Sequence, residues 1–315
     1  MIGILSYLVF FACVVAILGV VALGLNLQWG YTGLFNAGIV GFYAIGAYAQ
    51  AILTAPAQPG MLGNFGLPFA VGLVGAMAAS AAAAWIVALA TIRLRDDYLA
   101  IATFGIATTI QLVTLNFEAL TGGPNGFSGI PRPLYAALGT PASFNLFYLA
   151  LLVAVVAAVY WALERILGSP WGRVLKAIRE DERAAQALGK NVARFRIEAF
   201  VLGSALMGLA GALYVGLIGF VSPYDFLPIL TFQVWAMVIV GGSGNNRGAL
   251  LGALTVWAIW AASGVAVAKL VPPSYAAQGG AIQVILIGAL LVAMLLFRPA
   301  GLIGEKPVVS RHADE

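Results

Sequence analysis

Thirteen of the 28 charged side chains in this 315-residue chain fall between Glu164 and Glu198, and no Asp, Glu, Lys or Arg occurs before Arg93. Groups that do covalent or metal chemistry are scarce elsewhere. Cys13 is the sole cysteine and His312 the sole histidine. A disulfide within the chain and a cysteine-ligated metal are excluded on that count. General acid–base catalysis inside the apolar segments lacks its usual His and paired carboxylates, so no enzymatic centre and no cofactor is expected. No GxxxxGK[ST] occurs, and the glycine-rich GGSGNNRG at 241–248 has no Lys to reach a phosphate. It reads as a tight turn between two helices. The remaining chemistry is that of docking, concentrated in the charged island.

Within the island, Ser169 followed by Pro170 is a helix start: a capping hydroxyl, then a proline whose missing N–H costs nothing at that position. Trp171, Val174, Leu175 and Ile178 recur at i, i+3, i+4, i+7, with Arg173 and Lys176 on another face. That pattern predicts an amphipathic helix lying along a membrane surface. Glu180, Asp181 and Glu182 suit the positive N-terminal end of a second short helix, and Gly189 is placed to end it. A loop that only sets topology needs Lys and Arg. This one mixes both signs and carries an apolar patch of Ala184, Ala185 and Leu188, which suits a partner's groove.

The elements holding this island must lie in a bilayer. The chain is 62% apolar and 9% charged, with a mean hydropathy of +0.98, against roughly 45–50% apolar and about 25% charged in globular domains. Nine segments approach the roughly 20 residues needed to span: 2–25, 33–55, 67–91, 98–116, 144–163, 195–219, 226–243, 248–268 and 279–297. The first has no Lys or Arg ahead of it and exceeds a signal-peptide core in length, so it counts as a span. Segment 226–243 is short and 33–55 is interrupted by glycines, so either is a candidate for a broken or re-entrant helix and the count is eight to ten. The expected fold is all-α, one polytopic helix bundle over 1–315 that includes a cytoplasmic coupling loop at 164–194 and a cytoplasmic tail at 298–315. With nine spans and the island inside, 14 basic residues lie on the cytoplasmic side against Arg132 and Lys269 outside, and the N-terminus lies outside. A clustered basic and aromatic surface for nucleic acid is absent.

Ser204, Gly208, Ala212 and Gly216 fall every fourth position, and Gly248 and Gly252 form a GxxxG, ridges that let helix backbones approach. Polar residues in or beside the spans are Asn26, Gln28, Asn36, Gln50, Thr108, Thr109, Gln111, Gln233 and Gln283. Lipid-facing positions are costly for such groups, so they are expected to point inward, to other helices or to a path. Asn36, Gln50, Thr108, Gln111 and Gln233 are the pathway candidates. Outside, the loop 117–143 is the longest, and Gly122-Gly123-Pro124-Asn125-Gly126 forces turns. Its charges Glu118 and Arg132, with Asp225 nearby, are candidates for meeting a partner or for simple solvation.

Arg183 to Gly189, RAAQALG, resembles the EAA loop of bacterial ABC importer permeases, with the loop's Glu displaced one position to Glu182 and Arg183 in its place. The runs GLNLQWGYTGLFNAGIVGFYAIGAYAQAIL at 24–53, LRDDYLAIATFGIATTIQLV at 94–113, LTGGPNGFSGIPRP at 120–133, AIREDERAAQALGKN at 177–191 and FRPAGLIG at 297–304 are similar to the LivM-type permease of hydrophobic amino-acid ABC importers, over about nine-tenths of the chain. The resemblance implies an ABC importer permease fold in a bacterial inner membrane, pairing with a LivH-type permease, two cytoplasmic ATPases and a periplasmic binding protein, with membrane lipid around it. It implies ATPase coupling through Glu182, Arg183, Ala184, Ala185, Leu188 and Gly189, and contact with the binding protein through Glu118, Arg132 or Asp225. Urea or short-amide permeases share the architecture. A secondary transporter fits less well, since ion-coupled carriers place charged groups within the membrane.

Overall fold

The computed structural model describes residues 2–57, 61–270 and 279–305. Among them, nine apolar helices form a bundle, seven of membrane-spanning length and two shorter. In chain order they are α1 (Ile2–Leu25), α2 (Ile39–Thr54), α3 (Phe69–Thr91), α4 (Asp96–Asn116), then the single-turn α5 (Glu118–Thr121) and α6 (Tyr135–Leu138), α7 (Pro141–Leu167), the island helices α8 (Pro170–Glu180) and α9 (Glu182–Ala187), α10 (Val192–Ile218), α11 (Pro228–Gly241), α12 (Asn246–Leu270) and α13 (Gly279–Phe297). An apolar helix stands at each of the nine expected segments, and the two suspected of being broken are the two short ones. At about 1.5 Å per residue, 16-residue α2 and 14-residue α11 reach roughly 24 and 21 Å, short of a hydrocarbon core of roughly 30 Å.

The centre of the bundle is α10, which packs against α1, α2 and α3. Glycine permits this. A side chain on Gly46 of α2 would strike the backbone of Gly208, and one on Gly24 of α1 the carbonyl of Gly203. The small-residue ridge of α10 is thus a packing surface, as is Gly252 of α12 against the Met237 carbonyl of α11. With little apolar driving force between helices in lipid, such close approach supplies the attraction.

Charge divides the two ends of the bundle. The island, Arg93, Arg95 and Arg247 share one end, where the last two turns of α7 also lie. At the opposite end, Phe127–Ser128 (β1) pairs antiparallel with Phe220–Val221 (β2). Gly122, Gly123 and Gly126 there have φ of +75°, +56° and +71°, the backbone bends that their clustering foretold. Lys306, Arg311 and His312, assigned to the tail, lie outside the described residues.

Candidate functional site

The chain breaks its helical path beside the island. The end of α1 widens into one π turn, Asn26–Gly30, and after a turn at 31–32 the chain is non-helical up to residue 38, before α2 begins. A break at this depth is tolerable only where protein satisfies the backbone, and side chains from distant parts of the sequence do so. Trp235 of α11 donates its indole N–H to the Asn36 carbonyl at 3.1 Å, and the Ala37 amide donates to Thr103 Oγ1 at 3.0 Å. Asn36 itself donates from Nδ2 to Gln28 Oε1 at 2.8 Å, and Gln28 donates in turn to the Phe200 carbonyl and Ser204 of α10. Phe35 stacks on Trp235 with ring centroids 4.3 Å apart.

The first island helix is fastened to this break. Ser169 caps α8 by accepting from the Trp171 amide at 3.2 Å, as its sequence foretold. The apolar stripe lies inward: Leu175 joins the main core and Ile178 is buried. Sequence placed this stripe along a membrane surface, whereas the helix seats it on the bundle. From the outer edge of α8, Arg179 donates to the Gly30 carbonyl at the end of the π turn and packs its stem over Gly33, whose φ of +78° aims the chain away. Arg179 also holds Glu305 at 2.8 Å, and Lys176 holds the other oxygen at 2.6 Å. Burial pushes the Glu305 carboxyl up, yet the hydrogen bonds and positive charges of Lys176 and Arg179 outweigh it and hold it below its ordinary value. On the other flank Asn26 donates to Asn246 at 3.0 Å and accepts from the Gly244 amide at 2.9 Å, while Asn246 donates to Glu164 at 3.1 Å. The GGSGNNRG turn, as expected, joins two helices, and its Gly244 and Asn246 also tie α12 to the break.

The second island helix is held differently. Asp181 caps α9, accepting from the Arg183 and Ala184 amides at 2.9 and 3.0 Å. Ala185 is 3% exposed and packs with Ile178 and Val192. It therefore faces this chain, not a partner. Arg183, Ala184 and Leu188 face outward, Leu188 at 79% exposure. Glu182 pairs with Arg196 of α10 at 3.1 Å. Gly189, at φ +76°, closes the helix with Lys190 N–H bonded back to the Ala185 carbonyl, the left-handed stop its position called for.

The pathway candidates scatter. Asn36 is committed to the break. Gln50 is fully buried, its amide facing the Phe69 carbonyl at 3.5 Å and its Oε1 without a hydrogen-bond partner among the described residues. Thr108 bonds back to its own helix, and Gln111 reaches the Pro223 carbonyl at 3.4 Å. Gln233 meets Asp225 across a cavity of about 230 Å³ near the opposite end, lined also by Tyr43, Tyr214, Leu230 and Trp257. Asp225 accepts from the Ser222 amide at 2.9 Å, closing a capping box, and burial raises its pKa. Arg132 donates to the last carbonyl of α10, that of Ile218, and lies over Tyr135 and Phe144. Of the three external charges only Glu118 is freely exposed.

The model of the family described as branched-chain amino acid transport system / permease component matches residues 7–295. The chain belongs to this family. This permease is 33% identical over 306 residues to the high-affinity branched-chain amino acid transport system permease protein LivM of Salmonella typhimurium, covering 90% of this chain and 67% of the relative. It is 29% identical to the probable LivM of Methanocaldococcus jannaschii, over 92% of this chain and 91% of that one. It is also 24% identical to LivH of Escherichia coli, over 91% of both chains. No solved structure matches the chain. It is a multi-pass inner-membrane permease subunit of an ABC importer, and the helical bundle agrees with that.

Proposed function

We propose that this permease imports branched-chain or other hydrophobic amino acids together with a LivH-type permease, two ATPases on the island side and a periplasmic binding protein on the opposite side. The observation that carries the mechanism is Arg179: one side chain joins the island to the unwound segment 31–38 and to Glu305. The outward face of α9, with Arg183, Ala184 and Leu188, docks into an ATPase groove. Its displacement passes through the buried Ala185–Ile178 contact to α8 and from Arg179 to the break, where the non-helical segment before α2 can rearrange. Glu182 and Gly189 hold the shape of α9. Asp225 and Gln233 suit passage of an α-amino acid, the carboxylate for its ammonium and the Leu230 and Trp257 walls for its apolar side chain. Glu118 is the free charge available to the binding protein.

Reconstitution tests this. Proteoliposomes holding both permeases and both ATPases should accumulate labelled leucine only with ATP on the island side and binding protein on the other. The permease alone should hydrolyse no ATP. Uptake driven by an ion gradient without ATP would overturn the proposal.

A further inference from the structure

Between the last turns of α3 and the first half of α10, beside α8, lies a groove of about 720 Å³. Its floor is apolar: Trp85 of α3 with Ile197, Val201 and Leu202 of α10. Trp85 is 54% exposed and Leu202 42%, so the floor opens sideways from the bundle. Its rim carries Arg93, Arg194 and Trp171. Glu198, the acid within the groove, is already engaged, accepting from Arg194 Nε at 2.8 Å and from the Trp171 indole at 2.7 Å. Arg93 makes no ion pair among the described residues. The rim therefore keeps an excess of positive charge where the apolar floor ends, flanked by two indoles of the kind that settle at a membrane–water boundary.

We propose that this groove binds an anionic phospholipid of the island-side leaflet, its phosphate between Arg93 and Arg194 and an acyl chain along Trp85, Ile197 and Leu202. The inference uses the membrane orientation given above but not the substrate. A basic pocket between spanning helices, open to the bilayer, has the shape and charge for an anionic headgroup. An apolar protein helix laid in the same groove would leave Arg93 buried and unpaired, an unfavourable outcome that an anionic headgroup avoids. Because Trp171 belongs to α8, the bound lipid also anchors the fastened island helix to the leaflet.

Native mass spectrometry of the full-length chain tests this by titration with phosphatidylglycerol and phosphatidylcholine of identical acyl chains. Phosphatidylglycerol should be retained roughly fivefold better or more, as a contact with one surface Arg implies. Arg93→Gln, at an exposed and unpaired position, should remove that preference. Leu202→Trp, which fills the floor and leaves the charges, should lower retention of both lipids. Equal retention of the two lipids by the unsubstituted chain, or an unchanged preference in Arg93→Gln, would overturn the proposal. So would a Leu202→Trp variant that keeps its lipid but no longer assembles with another subunit, since the groove would then belong to a protein.

Discussion

The two island helices are neighbours in the chain, yet they are attached in opposite ways. α8 buries Leu175 in the core and is tied by Trp171 to α10, by Arg179 to the end of α1, and by Lys176 and Arg179 to Glu305. α9 touches the bundle through Ala185 and one ion pair, and turns Leu188 to the outside. One helix is a fixture of the permease and the other a handle. A force applied to α9 reaches the break after α1 through α8, beside the direct contacts that Glu182 and Ala185 make with Arg196 and Val192 of α10. Rigidity is what that route needs, since a loosely attached α8 would absorb the displacement.

The largest effect expected is at the fixture. Leu175→Asp would bury a carboxylate without a partner, a change on the order of several kcal/mol. The chain should fail to accumulate in the membrane, read by immunoblot of membrane fractions, and normal accumulation would mean that α8 is not seated as described. Leu188→Asp should insert normally and keep its thermal transition, because the side chain is 79% exposed. Capture of the ATPase subunits should fall by about tenfold or more, equivalent to about 1.4 kcal/mol, and unaltered capture would remove α9 as the docking element. Ala185→Asp strikes the contact with Ile178 and Val192 instead, so it should weaken the hairpin itself, and a proteolysis assay separates the two variants.

Smaller effects sharpen the contrast. Asp181→Ala removes the cap of α9 and should cost its helix about 1 kcal/mol, seen as faster amide exchange over 182–188 with α8 unchanged. Equal acceleration in both helices would mean they are attached alike. The smallest effect is in pH. Because Lys176 and Arg179 hold the folded-state pKa of Glu305 below its unfolded value, the clamp contributes at neutral pH and is lost as pH falls through the depressed value. A thermal transition compared with that of Glu305→Gln should converge with it in acid, and a gap that widened on acidification would contradict the clamp.

Much of this was legible in residue order. The span expected at 67–91 is Phe69–Thr91, and that at 279–297 is Gly279–Phe297, because hydropathy and helix length are local quantities. The caps at Ser169 and the stop at Gly189 are equally local. What faces what is not. Helical spacing puts Ala184 and Leu188 on one face and Ala185 on another, but alanine serves either a partner or a core, so sequence did not tell which face was turned inward. The break after α1 was signalled only by its glycines, since the groups that satisfy it include Thr103 and Trp235, 66 and 199 positions on. Glu305 carried no signal at all: its partners Lys176 and Arg179 are 129 and 126 positions away. Arg132 and Asp225 looked like free charges at a surface, and folding sets both to capping work.

The central claim is that α9 receives the push and Arg179 passes it on, and uptake and ATP hydrolysis measured in the same proteoliposomes test it most directly. Leu188→Asp should lower leucine uptake and binding-protein-stimulated hydrolysis together, since the ATPases no longer engage. Arg179→Ala should lower uptake by about tenfold, a loss equivalent to about 1.4 kcal/mol in coupling, while hydrolysis persists. If Arg179→Ala transports at the unsubstituted rate, or loses uptake and hydrolysis in equal measure as Leu188→Asp does, the division between handle and fixture is wrong.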